Sequence, residues 1–130
     1  MKKSLSYKTA ALFTFLTACL IFFIGTYIQM NTITRYSGLL PCADCTGITT
    51  TLSLKGDHTY QLRSIYLNKG TPFTEKGVWK EITKHGKTYY QLTSGLLTSY
   101  YEILNTKELR MTDNNGNPIQ TPVNTILIRE

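Results

Sequence analysis

The first thirty residues are dominated by one uninterrupted apolar run. From Ala10 to Ile28 the chain has no charged side chain, and the next charge is Arg35. Three lysines stand before the run: Lys2, Lys3 and Lys8. As a helix rising ~1.5 Å per residue, the run would reach ~28 Å, about the thickness of a hydrocarbon core. Because the positive charge lies before the run, we predict a signal peptide or signal-anchor helix over residues 1–30, with the remainder exported.

Beyond Thr34 the continuous apolar pattern gives way to alternation with a period of two. Ile48, Thr50, Leu52 and Leu54 fall on one face of an extended segment, with polar residues between them. The same alternation recurs in four later pairs: Tyr60 with Leu62, Tyr90 with Leu92, Tyr101 with Ile103, and Leu109 with Met111. Alternation of this kind indicates half-buried β-strands rather than helices. The many Val, Ile, Thr and Tyr residues favour the same interpretation.

Turn-forming residues separate these segments. Gly56, Gly70, Gly86 and Gly95 each fall between two runs, and a cluster of Asn and Gly occupies 113–118. We predict eight strands, near residues 34–39, 46–54, 58–67, 73–82, 88–93, 98–105, 108–112 and 119–128. Short connections favour antiparallel neighbours, and closure of eight strands hides the sheet edges. The predicted fold is therefore all-β, an eight-stranded antiparallel up-and-down barrel that occupies residues 31–130.

Composition and charge argue against two classes of function, nucleic-acid binding and multidomain enzymes. The chain of 130 residues carries 14 Lys and Arg against 8 Asp and Glu, a net charge of +6. The three lysines before the apolar run account for half of this excess, and the rest is spread along the chain. No basic stripe for nucleic acid is present, so no nucleic-acid partner is expected. After the N-terminal apolar segment, roughly 100 residues remain, and they can bury the core of one small domain. A multidomain enzyme is therefore excluded.

The barrel interior has two alternative interpretations. Trp79, in Phe73-x-x-x-Gly77-x-Trp79, is expected to plug one end, with most of the tyrosines in the core and at the rim. Side chains often fill an eight-stranded barrel completely. If the interior were open instead, the domain would be a lipocalin-like carrier of a small apolar ligand.

Cys42 and Cys45 form a C-x-x-C motif within Leu40-Pro-Cys-Ala-Asp-Cys-Thr-Gly47. It is the motif of this sequence that could support redox chemistry or metal binding. Thiol–disulfide catalysis is disfavoured, because the pair precedes a strand rather than opening a helix and Asp44 adds negative charge beside it. Two thiolates suit a soft metal such as Cu(I), which makes Cu(I) the candidate cofactor. A structural pair, oxidised or simply part of a tight turn, is the other interpretation, and an exported location permits a disulfide. The structural and metal-binding hypotheses both stay open.

Additional metal ligands are scarce. If residues 46–54 run away from the cysteines at ~3.3 Å per residue, their far end lies ~30 Å away. His58 follows that end and His85 lies in a turn at the same end, so neither is expected to share an ion with the pair. Met111 closes a strand that returns to the cysteine end and is the candidate third soft ligand.

Cys19 closes the segment Leu16-Thr-Ala-Cys19, which is similar to a bacterial lipobox. A lipidated Cys19 would become the first residue of the mature protein. Against this, Leu20 to Ile24 is apolar, where a polar tether normally follows. The alternative is an inner-membrane signal anchor in which Cys19 is an inert thiol. Both alternatives place the barrel on the periplasmic side of the membrane.

Several segments together resemble the family of NlpE N-terminal domains. The most specific is Tyr36-Ser-Gly-Leu-Leu-Pro-Cys-Ala-Asp-Cys-Thr-Gly-Ile48, followed by Thr59-Tyr60-x-Leu62 and Phe73-x-x-x-Gly77-x-Trp79. Gly116-x-Pro118-Ile119 and Asn124-x-x-Leu127 fit the later part. The resemblance implies a lipocalin-like barrel on an outer-membrane lipoprotein. It matches Cys42 and Cys45 to the family's C-x-x-C, and Cys19 to its lipidated cysteine.

The resemblance also implies a function. The family is linked to copper tolerance and to envelope-stress signalling through the Cpx two-component sensor kinase. We therefore predict a non-enzymatic, membrane-tethered, monomeric domain that acts in copper homeostasis or envelope-stress sensing, with Cys42 and Cys45 binding a soft metal or sensing redox state. A ligand carrier and a purely structural barrel are the alternatives.

Overall fold

The structure, a computed structural model, describes residues 7–30, 32–68 and 70–130 and divides into two compact units, Met1–Thr32 and Ile33–Glu130. In the first unit, helix α1 spans Tyr7–Met30. Its segment Ala10–Ile28 has a mean hydropathy of 2.1 and is long and apolar enough to cross a membrane, a property that signal sequences share. The predicted N-terminal apolar helix is confirmed from Tyr7 onward, and residues 1–6 lie outside the described part.

The second unit is a closed barrel of eight strands in chain order. They are β1 Ile33–Leu40, β2 Ile48–Lys55, β3 Thr59–Tyr66, β4 Pro72–Lys84, β5 Lys87–Ser94, β6 Leu97–Ile103, β7 Glu108–Met111 and β8 Ile126–Arg129. Every strand is antiparallel to its neighbours, and β1 closes the barrel by pairing with β8, with Tyr36 opposite Arg129. The predicted all-β up-and-down barrel is confirmed.

The last strand is much shorter than predicted. A strand was expected over 119–128, whereas β8 covers only Ile126–Arg129. Pro118 and Pro122 have no backbone N–H to donate to a ladder, so they interrupt pairing before β8. Pro118 makes only an isolated bridge with Thr112. Asn124 then accepts the N–H of Ile126 on its side-chain oxygen at 3.0 Å, which fixes the start of the strand.

Period-two alternation explains the core. In β2, Thr50, Leu52 and Leu54 are buried and the residues between them are more exposed. Four leucines from four strands are 0% exposed: Leu52, Leu92, Leu109 and Leu127. Trp79 packs against this core, and its indole N–H donates to the Lys55 carbonyl oxygen at 2.9 Å. Trp79 therefore plugs the barrel near the β2–β3 turn.

The two ends of the barrel carry different connections. The end formed by loop 41–47, the β3–β4 connection and turn 95–96 is called the Cys mouth. The opposite end, formed by turns 56–58, 85–86 and 104–107, is called the far mouth. Because β2 leads directly away from loop 41–47, its whole length separates the two mouths.

Segment 112–125, between β7 and β8, lies over the outer face of the barrel. Tyr89 points outward from β5 and yet is only 4% exposed, because this segment covers it. Its hydroxyl donates to the Gly116 carbonyl oxygen at 3.1 Å. Lys84 reaches the same segment by donating to the Asn115 carbonyl oxygen at 3.1 Å. Segment 112–125 thus forms a small second core outside the barrel.

Candidate functional site at the Cys mouth

Cys42 and Cys45 lie in the loop that joins β1 to β2 and form a disulfide with a Cα–Cα distance of 5.3 Å. This separation falls within the range that disulfides normally span. Cys42 and Cys45 are both half-buried, whereas Ala43 and Asp44 between them are exposed. The pair is therefore within reach of soluble reductants at one end of the barrel.

The loop is held to the rest of the Cys mouth by three features. Gly47 has a φ of +152°, and a Cβ at this position would lie 2.8 Å from a methyl group of Leu39. The N–H of Leu67 donates to the Gly47 carbonyl oxygen at 3.1 Å. The Thr46 hydroxyl donates to the Asn68 side-chain oxygen at 3.1 Å. These contacts connect the loop to the β3–β4 connection, so its position does not depend on the disulfide alone.

Two oxygens approach the sulfurs. An Asp44 carboxylate oxygen lies 3.6 Å from Cys42 Sγ, and the Gly47 carbonyl oxygen lies 3.3 Å from Cys45 Sγ. In a reduced pair both oxygens would favour a protonated thiol over a thiolate, since each carries negative charge or a negative dipole end. The arrangement therefore suits a disulfide, or a thiol pair that is protonated at rest, better than a nucleophilic thiolate.

The histidines lie at the far mouth. The backbone N–H of His58 donates to the Lys55 carbonyl oxygen at 3.1 Å, and its ring centroid lies 4.9 Å from that of Trp79. His85 lies in the turn between β4 and β5. The eight residues of β2 at ~3.3 Å each separate this end from the cysteines. The predicted separation of the histidines from the cysteine pair is thus confirmed. Within the described ranges, no three His, Cys, Asp or Glu side chains are grouped to hold a metal.

A cavity of about 220 Å³ lies inside the Cys mouth. Met111 lines it together with Leu40 and Pro41, which immediately precede Cys42. Met111 therefore belongs to the same end of the barrel as the disulfide, and its coordination of a metal stays a prediction. Glu75 lines the same cavity and was not singled out from the sequence. The alternation of a strand could have identified it, because Glu75, Gly77 and Trp79 are alternate residues and therefore face the same side of β4.

Cys19, the predicted lipidation site, lies within α1. Its thiol is free and half-exposed. The whole lipobox-like segment Leu16–Cys19 is helical and uncharged, which suits both a signal peptide and a membrane anchor. Lipidation of Cys19 stays a prediction.

The region that matches known proteins includes both the barrel strands and the loop that carries Cys42 and Cys45. Residues 36–122, which begin within β1 and end within segment 112–125, match the family model of the NlpE N-terminal domain. The chain belongs to this family. The resemblance predicted from the C-x-x-C segment is thereby confirmed.

Individual relatives agree with the assignment to this family. The chain is similar to Lipoprotein NlpE of Escherichia coli (strain K12), with 31% identity over 100 residues, 68% of this chain and 37% of that protein. The crystal structure of the Cpx pathway activator NlpE from Escherichia coli matches with 34% identity and a TM-score of 0.58, over 70% of this chain and 47% of that one. A solved structure from Shewanella oneidensis matches with 34% identity and a TM-score of 0.61, over 78% and 89%. The chain thus spans less than half of either Escherichia coli relative.

Proposed function

We propose that this chain is a non-enzymatic sensor domain, tethered on the periplasmic side of the bacterial envelope, whose output reaches the Cpx sensor kinase. The observation that carries the proposal is the disulfide between Cys42 and Cys45 in an exposed loop of an NlpE-family barrel. The solved Escherichia coli relative, described as a Cpx pathway activator, supports the choice of pathway.

The sensing step is a two-electron exchange. A thiol reductant donates two electrons and two protons, the S–S bond breaks, and the reductant leaves as its own disulfide. Each cysteine then carries a thiol, and Cys42 is free to move away from Asp44. Because the Leu67–Gly47 and Thr46–Asn68 hydrogen bonds do not involve sulfur, they keep the loop at the mouth while its tip rearranges. A partner that contacts the tip distinguishes the two states.

Binding of Cu(I) by the reduced pair is the second candidate function. Two thiols that face one another across a short loop suit a soft monovalent ion. Met111, in the cavity beside Leu40 and Pro41, is the candidate additional ligand. Copper and redox sensing are then linked, since the oxidised pair has no thiolate to offer the metal.

A lipocalin-like carrier of a small apolar ligand, with the barrel interior as its site, is less well supported. The four fully buried leucines belong to one core cluster inside the barrel, and Trp79 packs against it, so side chains occupy the interior space that such a ligand would need. The structural alternative predicts that loss of the disulfide changes stability alone.

The test uses the full chain with Cys42→Ser and Cys45→Ser combined, and Ala43→Ser as the matched control. Ala43→Ser adds a hydroxyl to the same loop and leaves both sulfurs in place. A Cpx-dependent reporter should lose its response to oxidants or reductants in the double variant and keep it in the control. Equal responses from all three proteins would end the sensor proposal.

Anaerobic titration with Cu(I) against a chromophoric competitor tests the second candidate. The reduced wild type and Ala43→Ser should compete for Cu(I), and the double serine variant should not. Met111→Leu should bind more weakly than the wild type if the thioether is a ligand. Equal binding by the double variant and the wild type would exclude a metal site at the pair.

For the tether, we propose lipidation at Cys19 and residence in the outer membrane, with an inner-membrane signal anchor as the alternative. The mass of the mature N-terminus decides between them. A lipidated Cys19 as first residue supports the lipoprotein, and Cys19→Ser should then accumulate as precursor. An intact N-terminus without acyl groups identifies the anchor.

A further inference from the structure

The cavity inside the Cys mouth contains a carboxylate. Glu75 lies on the inner face of β4, opposite Leu62 of β3. The β4–β5 ladder begins only at Val78, opposite Thr93, so Glu75 lies in the part of β4 that pairs with β3 alone. The carboxylate is therefore directed into the cavity at a point where β5 does not flank the strand.

Placing a carboxylate among apolar side chains is unfavourable unless the charge is compensated. Part of the compensation comes from Tyr60, whose hydroxyl donates to the Glu75 carboxylate. Burial, together with this hydrogen bond and the charge of Glu75, raises the pKa of Tyr60, so Tyr60 stays a neutral donor. In the described part of the chain, Lys87 and Arg110 both form ion pairs with Glu102. No side-chain ion pair there involves Glu75.

The rest of the cavity wall is rich in aromatic rings. Tyr66, Phe73 and Tyr101 line it, together with the thioether of Met111. The negative face of an aromatic ring attracts an alkylammonium group, and a carboxylate beside several rings is the usual chemistry of ammonium recognition. At about 220 Å³ the cavity is smaller than the roughly 300–1,000 Å³ of pockets for drug-sized ligands.

We propose that the cavity binds a small organic cation of the quaternary or primary ammonium class, with Glu75 as its counter-ion and the Tyr66, Phe73 and Tyr101 rings around its alkyl groups. A neutral apolar ligand would leave the negative charge of the carboxylate without an opposite charge, which is costly in a confined site. A metal ion would need further anionic or imidazole ligands, and among the residues described no three His, Cys, Asp or Glu side chains are grouped to hold one. This site goes beyond the sensor function and does not require the cysteine pair to be active.

The test is titration of the full chain, in a sugar-headed non-ionic detergent, with choline chloride at constant ionic strength. Binding is followed by NMR shifts of the residues lining the cavity. The neutral carbon isostere of choline, 3,3-dimethyl-1-butanol, is the ligand control. Choline should shift these resonances saturably, and the neutral isostere should bind at least about tenfold more weakly.

Glu75→Gln removes the charge and keeps the size of the side chain, and it should weaken choline binding by about tenfold or more. The matched control is Glu81→Gln, which alters a carboxylate of the same strand in the cavity of about 470 Å³ at the far mouth, where Arg129 also lies. Glu81→Gln should bind choline as the wild type does.

Phe73→Ala, at an exposed position, should weaken binding by about two- to fivefold and gives a second readout if Glu75→Gln does not fold. No saturable shift in the wild type, equal binding by Glu75→Gln, or shifts confined to the far mouth would each overturn the proposal.

Discussion

At Gly77 neighbouring atoms occupy the space that a side chain would need. A Cβ at this position would overlap the Thr93 carbonyl oxygen and lie 2.8 Å from Cε1 of Tyr60. Because one of these atoms belongs to the β5 backbone, it cannot move aside without disturbing the sheet. We expect Gly77→Ala to lower the free energy of unfolding by about 1–3 kcal/mol or more, measured by chemical denaturation.

Val78, the next residue, provides the control. It points outward and is 57% exposed, so Val78→Ala should cost less than about 1 kcal/mol. If Gly77→Ala were no more destabilising than Val78→Ala, the close approach of β4 and β5 at Gly77 would be wrong. The Gly77-x-Trp79 pattern identified this glycine from the sequence, but its contact with Tyr60 and Thr93 depends on strand register.

Among the elements, segment 112–125 shows where local sequence patterns stop being informative. Its Asn and Gly residues predict a turn, and its two prolines explain why β8 begins late. Nothing in the local pattern indicates that the segment folds back over Tyr89, because that contact joins residues 27 positions apart. The cavity around Glu75 shows the same limit, since residues of β3, β4 and β6 line it together and only the closure of the barrel brings them side by side.

Asp113 organises the first turn of this segment. Its Oδ1 accepts the N–H groups of Asn115 and Asn117, both at 2.8 Å. These hydrogen bonds, that of Asn117 foremost, hold the pKa of the Asp113 carboxyl below its ordinary value of 3.8. A lowered pKa in the folded state means that the ionised carboxylate stabilises the fold above pH 3.8 and that this stabilisation is lost as pH falls through the folded-state pKa.

We therefore expect Asp113→Asn to be less stable than the wild type at neutral pH and to approach it in acid. Urea denaturation at a series of pH values measures the difference. Asn114→Ala, at an exposed position of the same turn, should differ from the wild type by an amount that does not change with pH. A difference for Asp113→Asn that is constant from neutral to acid pH would contradict this role for the carboxylate.

For the molecule as a whole, alternation and turn residues were sufficient to predict the number of strands, their order and closure, because each strand buries one face against the same interior. They were also sufficient to separate the histidines from the cysteines, since strand length and direction alone determine which mouth a turn joins. The disulfide could not be chosen over two free thiols from spacing, because both states fit the same C-x-x-C loop. The cavity carboxylate required the register of β4 against β3 and β5.

Closure itself can be tested at Leu127. This side chain is 0% exposed, and it belongs to β8, the four-residue strand that joins β7 to β1. Removing most of its side chain leaves a cavity at the seam of the barrel, so Leu127→Ala should lower the free energy of unfolding by about 2–5 kcal/mol. Ile128, its neighbour on the same strand, is 55% exposed and faces outward, so Ile128→Ala should cost about 1 kcal/mol or less. Thermal unfolding of both variants followed by circular dichroism gives the comparison. Similar losses in the two would mean that β8 lies on the barrel without completing its core, and the seam between β1 and β8 would then have to be open.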